Sequence, residues 1–176
     1  MQDIDIKRVL NMANLLGIDI VGSSIKNKIH EDVIYRLSQR PLTLPNYRFL
    51  VATENVEELT SASVPNILVV RDLRVVRSFI EKKNYKGKIG LEIQISPMRN
   101  VEGKEVGKWF KEITELYRFS ERYDFQFIIS SGAKTIWEMI SRRCLESVLK
   151  LCDINAQTYW EDLEHWIDLN TKPRVA

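Results

Sequence analysis

Residues 125–152 read FQFIISSGAKTIWEMISRRCLESVLKLC. The stretch opens with apolar side chains on consecutive positions, FIIS, rather than alternating ones. Such a run suits a strand covered on both faces, the situation of a parallel sheet under helices. Ser130-Ser131-Gly132-Ala133 then reads as a tight turn. Beyond it, Trp137, Ile140, Cys144, Leu145, Val148, Leu149 and Cys152 recur at spacings of three and four. That period places them on one helix face. The unit is strand, turn, helix.

The same alternation runs through the chain. Strands are expected over 3–6, 18–23, 47–53, 66–71, 88–96 and 125–131. Helical stripes fall between them. Val9, Leu10, Met12, Ala13 and Leu16 form one. Val33, Ile34 and Leu37 form a shorter one that ends before Pro41. Residues 55–61 read as a turn or two, with Asn55 and Glu58 in a capping-box spacing. Asp72 is a good N-cap for Leu73, Val76 and Ile80. Val106, Trp109, Phe110, Ile113, Leu116 and Tyr117 mark a long helix, and Tyr159, Trp160, Leu163, Trp166 and Ile167 the last. The order βαβαβαβαβαβα plus one helix predicts an α/β fold with parallel strands. It closes either as an open doubly wound sheet or as a (β/α) TIM-type barrel. A full eight-strand barrel typically takes about 250 residues, with about 200 the lower end. A chain of 176 therefore points to a reduced or distorted barrel with fewer than eight regular strands. No repeat or linker divides it, so 1–176 reads as a single domain.

Composition narrows the class. The apolar fraction is 44% and the charged fraction 28%, as in soluble globular chains. There is no apolar run of about 20 residues, the length a bilayer demands. The opening MQDIDIKRVL lacks the basic and then apolar layout of a signal peptide. The expected location is the cytoplasm, with no membrane association. Cys144 and Cys152 stand eight apart on one expected helix, with Cα atoms about 12 Å apart. That is too far for a disulfide, so both are expected as free, buried thiols. Net charge is only +2. Between Lys82 and Lys111, however, eight Lys/Arg face three Glu, a local surplus of five.

Function in such folds sits at the carboxyl ends of the strands. There the chain places Ser23-Ser24-Ile25-Lys26, Thr53-Glu54, Arg71-Asp72, Ser96-Pro97-Met98-Arg99 and Ser130-Ser131-Gly132-Ala133-Lys134. A metal-dependent phosphoesterase needs several His and Asp ligands at strand ends. The two histidines, His30 and His165, both fall in expected helices. Glu54 and Asp72 are equally explained as helix-start residues. A serine nucleophile at Ser130 or Ser131 would need a partnered base. No metal ligand and no catalytic residue is therefore assigned. Four cations, Lys26, Arg71, Arg99 and Lys134, fall on four rim loops. If they converge they suit backbone phosphates, with Ser hydroxyls and helix-start N–H groups adding contacts.

GLEIQISPM at 90–98 and FQFIISSGAKTIWEM at 125–139, with the amphipathic helix between them, resemble the component 3 protein of archaeal ribonuclease P. The likeness is strongest over 88–152 and extends more loosely to ANLLGIDIVGSSI at 13–25. It implies a (β/α) barrel related to amidohydrolase and phosphoesterase barrels but lacking their metal ligands. It implies a protein subunit of the ribonucleoprotein that cleaves the 5′ leader from precursor tRNA. RNA would be the catalyst, and magnesium would act through that RNA. This chain would bind no cofactor of its own. The implied partners are the catalytic RNA, the component 2 protein in a two-plus-two heterotetramer, and precursor tRNA through the holoenzyme. Where the family often carries Arg-Ser-Pro-Arg, this chain reads Ile140-Ser141-Arg142-Arg143, matching at Ser141 and Arg143. The expected RNA-binding set is Lys26, Arg71, Arg99, Ser130, Ser131, Lys134, Arg142 and Arg143. The rival reading is a metal-dependent phosphoesterase on the same barrel, and a third is an interaction domain that makes no RNA contact.

The large residues remain. Trp109, Trp137, Trp160 and Trp166 lie on or beside apolar stripes and are expected in packing rather than on RNA bases. Tyr159, Trp160 and Trp166 are the alternative candidates for a protein–protein patch. Lys172 and Arg174 in the tail are expected to be solvated.

Overall fold

The computed structural model describes residues 5–19, 21–24, 30–43, 45–61 and 64–171. Six parallel strands form one sheet in sequential order, curled into a half-barrel. They are β1 (Val21–Ser23), β2 (Val33–Leu37), β3 (Phe49–Thr53), β4 (Ile67–Val69), β5 (Gly90–Gln94) and β6 (Gln126–Ser130). The helices are α1 (Ile6–Leu15), α2 (Leu73–Lys83), α3 (Lys104–Tyr123), α4 (Arg142–Leu151) and α5 (Ala156–Thr171). Short 3-10 helices span Val56–Thr60, Ser96–Asn100 and Ile136–Glu138. Among the described residues no helix is long and apolar enough to cross a membrane.

Three expected elements differ. The segment expected to be helical at 33–37 is β2. Val33, Ile34 and Tyr35 are β-formers with little exposure, and pairing on both sides covers them. Five residues with spacings of one and three fit either period, so neighbours decide. Residues 3 and 4 of the strand expected at 3–6 lie outside the described residues. Its other end is helical, because the Asp5 carboxylate accepts the Lys7 N–H and caps α1. The helix expected from Trp137 starts at Arg142. There Ser141 Oγ accepts the Cys144 N–H as N-cap. The chain between must travel from the carboxyl end of β6 to the amino side of β1. There the Arg142 N–H meets the Leu16 carbonyl at 3.1 Å. The chain covers this path as loop and a single 3-10 turn before α4 starts. No helix connects β2 to β3 among the described residues.

Register sorts the side chains by face. Val33, Tyr35, Leu37, Leu91 and Phe127 share the outer one. Ile6, Val9 and Ala13 of α1 close over Val21, Val33, Tyr35 and Leu37 there. Tyr117 of α3 packs edge-on against Phe127, with ring centres 5.6 Å apart. Ile34, Ile67, Gly90, Glu92 and Ile128 share the inner face. That face is crossed by α5. A side chain at Gly90 would collide with Ile128 and crowd the Trp166 ring, so glycine admits the helix. The last turn of α5 is tied to the amino ends of β3 and β4. Arg48 binds Asp168 and Thr171, and Asn66 binds Asn170.

At the other end of α5, buried Tyr159 secures the sheet margin. Its hydroxyl accepts the Ile129 N–H at 3.0 Å, on the side of β6 away from β5. A bare strand edge leaves such donors unpaired. Burial pushes the Tyr159 phenol far above its ordinary range, so it stays neutral. Two of the three aromatics that were the alternative candidates for a protein–protein patch are thus packed inside, as the packing expectation had them. Tyr159 and Trp166 are buried. Trp160 donates to Glu146 and lies 5.1 Å beneath the Arg142 guanidinium.

Candidate functional site

The inner face bears a polar cluster where β2, β5 and β6 approach their carboxyl ends. Glu92 on β5 is 1% exposed. Buried carboxylates are rare unless paired. Arg36 on β2 meets it as a fork: Nη1 donates to Oε1 at 2.7 Å, and Nη2 stands 2.6 Å from Oε2 as an ion pair. Ser130 Oγ at the end of β6 donates to Oε1 at 2.5 Å, and Gln94 Nε2 approaches the same oxygen at 3.4 Å. Three strands thus converge on one carboxylate. The group is engaged by a cation and a hydroxyl, and charge-assisted bonds of this kind fix its orientation.

A second pair lies beside the first. Arg71, just past β4, donates to Glu54, just past β3, at 2.5 Å. This bond holds the Glu54 carboxyl below the usual carboxylate range, and Arg36 adds a smaller attraction. The same bond raises Arg71 further. Asp72 instead caps α2 through the Arg74 N–H.

The loops after β5 and β6 are stitched together. The Ile95 N–H donates to the Ser130 carbonyl at 2.9 Å, and the Ser96 N–H to the Ser131 carbonyl at 3.0 Å. Gly132 has φ +58°, and a Cβ there would lie 2.6 Å from Ser96 Oγ. Only glycine meets both demands. Ser131 Oγ accepts the Ala133 N–H, so that hydroxyl shapes the turn.

The sequence-predicted set therefore divides. Ser130, Ser131, Arg99 and Lys134 belong to this joined rim. Arg99 and Lys134 are exposed, and their charged groups make no ion pair among the described residues. Arg71 is on the rim but committed to Glu54. Lys26, like Lys172 and Arg174, lies outside the described residues. Arg142 binds Asp19, two residues before β1, and Glu146. It and the adjacent exposed Arg143 are thus at the amino end of the sheet, away from the rim. The surplus between Lys82 and Lys111 is spread as well. Lys82 and Lys83 end α2, while Lys108 and Lys111 pair with Glu105 and Glu115 on α3.

Other expectations need correction. His30 is not helical: it precedes β2, where its N–H donates to the Tyr35 hydroxyl at 2.8 Å. Cys144 is exposed, and only Cys152 is buried. Trp137 is 77% exposed rather than packed, because the helix begins after it. Among the described residues no three His, Cys, Asp or Glu side chains cluster as metal ligands. Sequence reasoning also missed Arg36 and Glu92. Each is a lone charge within an apolar run, VIYRL and GLEIQ, and that was the available signal.

No protein-family model matches this chain, and no curated protein matches it significantly.

Proposed function

We propose that this chain is a protein subunit of ribonuclease P. In that reading it binds and supports the catalytic RNA that removes the 5′ leader from precursor tRNA. The fold would be a reduced, metal-free member of the TIM-type barrels, working in the cytoplasm. The component 2 protein would be its partner in a two-plus-two assembly. The chain would contribute binding and positioning, with magnesium acting through the RNA.

One observation carries the reading: the rim divides its charges into committed and free. The inward acid Glu92 is held by Arg36 and Ser130, and Glu54 by Arg71. Arg99 and Lys134, on the two stitched loops, keep their cations toward solvent. The two stretches that resemble the component 3 family are the strands and loops that build this rim. Free cations on a rigid edge suit phosphate oxygens.

The test is filter binding of purified protein to a ribonuclease P RNA across salt concentrations, with a cleavage assay alongside. Binding should weaken linearly on a log–log plot. Arg99→Ala and Lys134→Ala should each flatten the slope by about 0.7–0.9 for every phosphate left without its cation. Protein freed of RNA should leave precursor tRNA intact. Cleavage by RNA-free protein with added Mn²⁺ would favour the phosphoesterase reading instead. Binding with no salt dependence would favour a domain that meets only proteins.

A further inference from the structure

We infer that Trp137 is a stacking platform for an unpaired base of a single-stranded RNA segment, with Lys134 on the same loop as the source of positive charge. The inference rests on the RNA-binding reading above and names a contact within it. Trp137 lies on the 3-10 turn Ile136–Glu138, in the loop that leaves the rim after β6. It is 77% exposed, and among the described residues no hydrogen bond or ring contact engages its indole.

The backbone is fixed. Ile136 and Met139, on either side, are packed into the cluster between α1 and the outer face of β1 and β2. Glu138 Oε2 accepts the Lys134 N–H at 2.6 Å and closes the loop. Of the two residues between these anchors, Glu138 folds back on the loop and Trp137 stays exposed. The closure also commits the nearest carboxylate to a backbone amide. The Lys134 ammonium, three residues before the ring, is left without an acidic partner among the described residues. A bare aromatic face and a free cation on one short loop match a base and its phosphate. A protein anchor would call for apolar company or a complementary charge. Base–aromatic stacking tolerates any sequence, because every base has a π face.

The test uses the full chain and two labelled twelve-nucleotide probes, oligouridylate and an abasic oligomer of equal charge. Trp137→Ala should weaken oligouridylate binding by about fivefold to a hundredfold. Trp137→Phe should stay within a few-fold of the parent. Binding of the abasic probe should be the same for all three proteins. Circular dichroism of each variant establishes that it folds. Equal oligouridylate binding by the parent and Trp137→Ala would overturn the inference, as would an equal loss on both probes. So would a loss confined to association with the component 2 protein. If the parent binds ribonuclease P RNA with a negative salt slope while Trp137→Ala changes nothing, the stacking contact alone fails. If the parent binds neither that RNA nor the probes, the proposed function fails with it.

Discussion

Arg36→Met isolates the buried ion pair of the inner face. The substitution keeps an unbranched side chain of similar reach and removes the fork from Glu92. That carboxylate is 1% exposed and would keep only Ser130 and Gln94. Removing one partner of a buried pair typically costs about 3–5 kcal/mol, since the other charge is left uncompensated. The Arg36 side chain is 26% exposed, so some water can follow, and the lower end, about 3 kcal/mol, is expected. With a urea slope of about 2 kcal/mol/M, the unfolding midpoint should drop by about 1.5 M. Arg36→Met combined with Glu92→Met should recover most of that loss, because two apolar side chains need no compensation. Urea titrations followed by circular dichroism, run as a double-mutant cycle, measure both. A single variant within about 1 kcal/mol of the parent would refute the reasoning. So would a double variant no more stable than Arg36→Met.

Three further outcomes follow from neighbouring features. Tyr159→Phe removes the acceptor of the Ile129 N–H and should lower stability by about 1–3 kcal/mol; urea midpoints test it. A thiol reagent should modify exposed Cys144 in the native protein, while Cys152 reacts only on unfolding, being buried with its thiol pushed up by desolvation; mass spectrometry distinguishes the two peptides. The Glu54 carboxyl should titrate below the ordinary glutamate range by NMR, and Arg71→Ala should move it up toward that range. A depressed folded-state pKa adds stability above the unfolded-state value and loses it as pH falls through the folded one. The Glu54–Arg71 contribution should therefore fade in acid, and it is small because both groups are largely exposed.

The alternation of apolar runs and amphipathic stretches was enough to predict parallel strands under helices. ILV at β4 and FII in β6 are buried on consecutive residues, as such runs require. Asp72 and Asn55 cap where their chemistry placed them, because an N-cap bond closes within two or three residues. Local geometry is readable from local sequence. Residues 33–37 were not readable in this way, since five residues carry too little period to choose between helix and strand. Trp137 was misplaced for a related reason: its spacing fitted the following helix, but that helix is capped only at Ser141, after the chain has crossed to Leu16.

What only tertiary structure decided is which charges meet. Arg36 and Glu92 are 56 residues apart in sequence, and their pairing depends on the register and curl of four strands. The same curl keeps Arg99 and Lys134 on stitched loops and sends Arg142 and Arg143 to the opposite end. Hydrophobic period depends on neighbours three or four residues away, so the chain carries it in one dimension. A charge's partner is whatever the folded sheet brings within about 3 Å, and no interval along the chain encodes that distance.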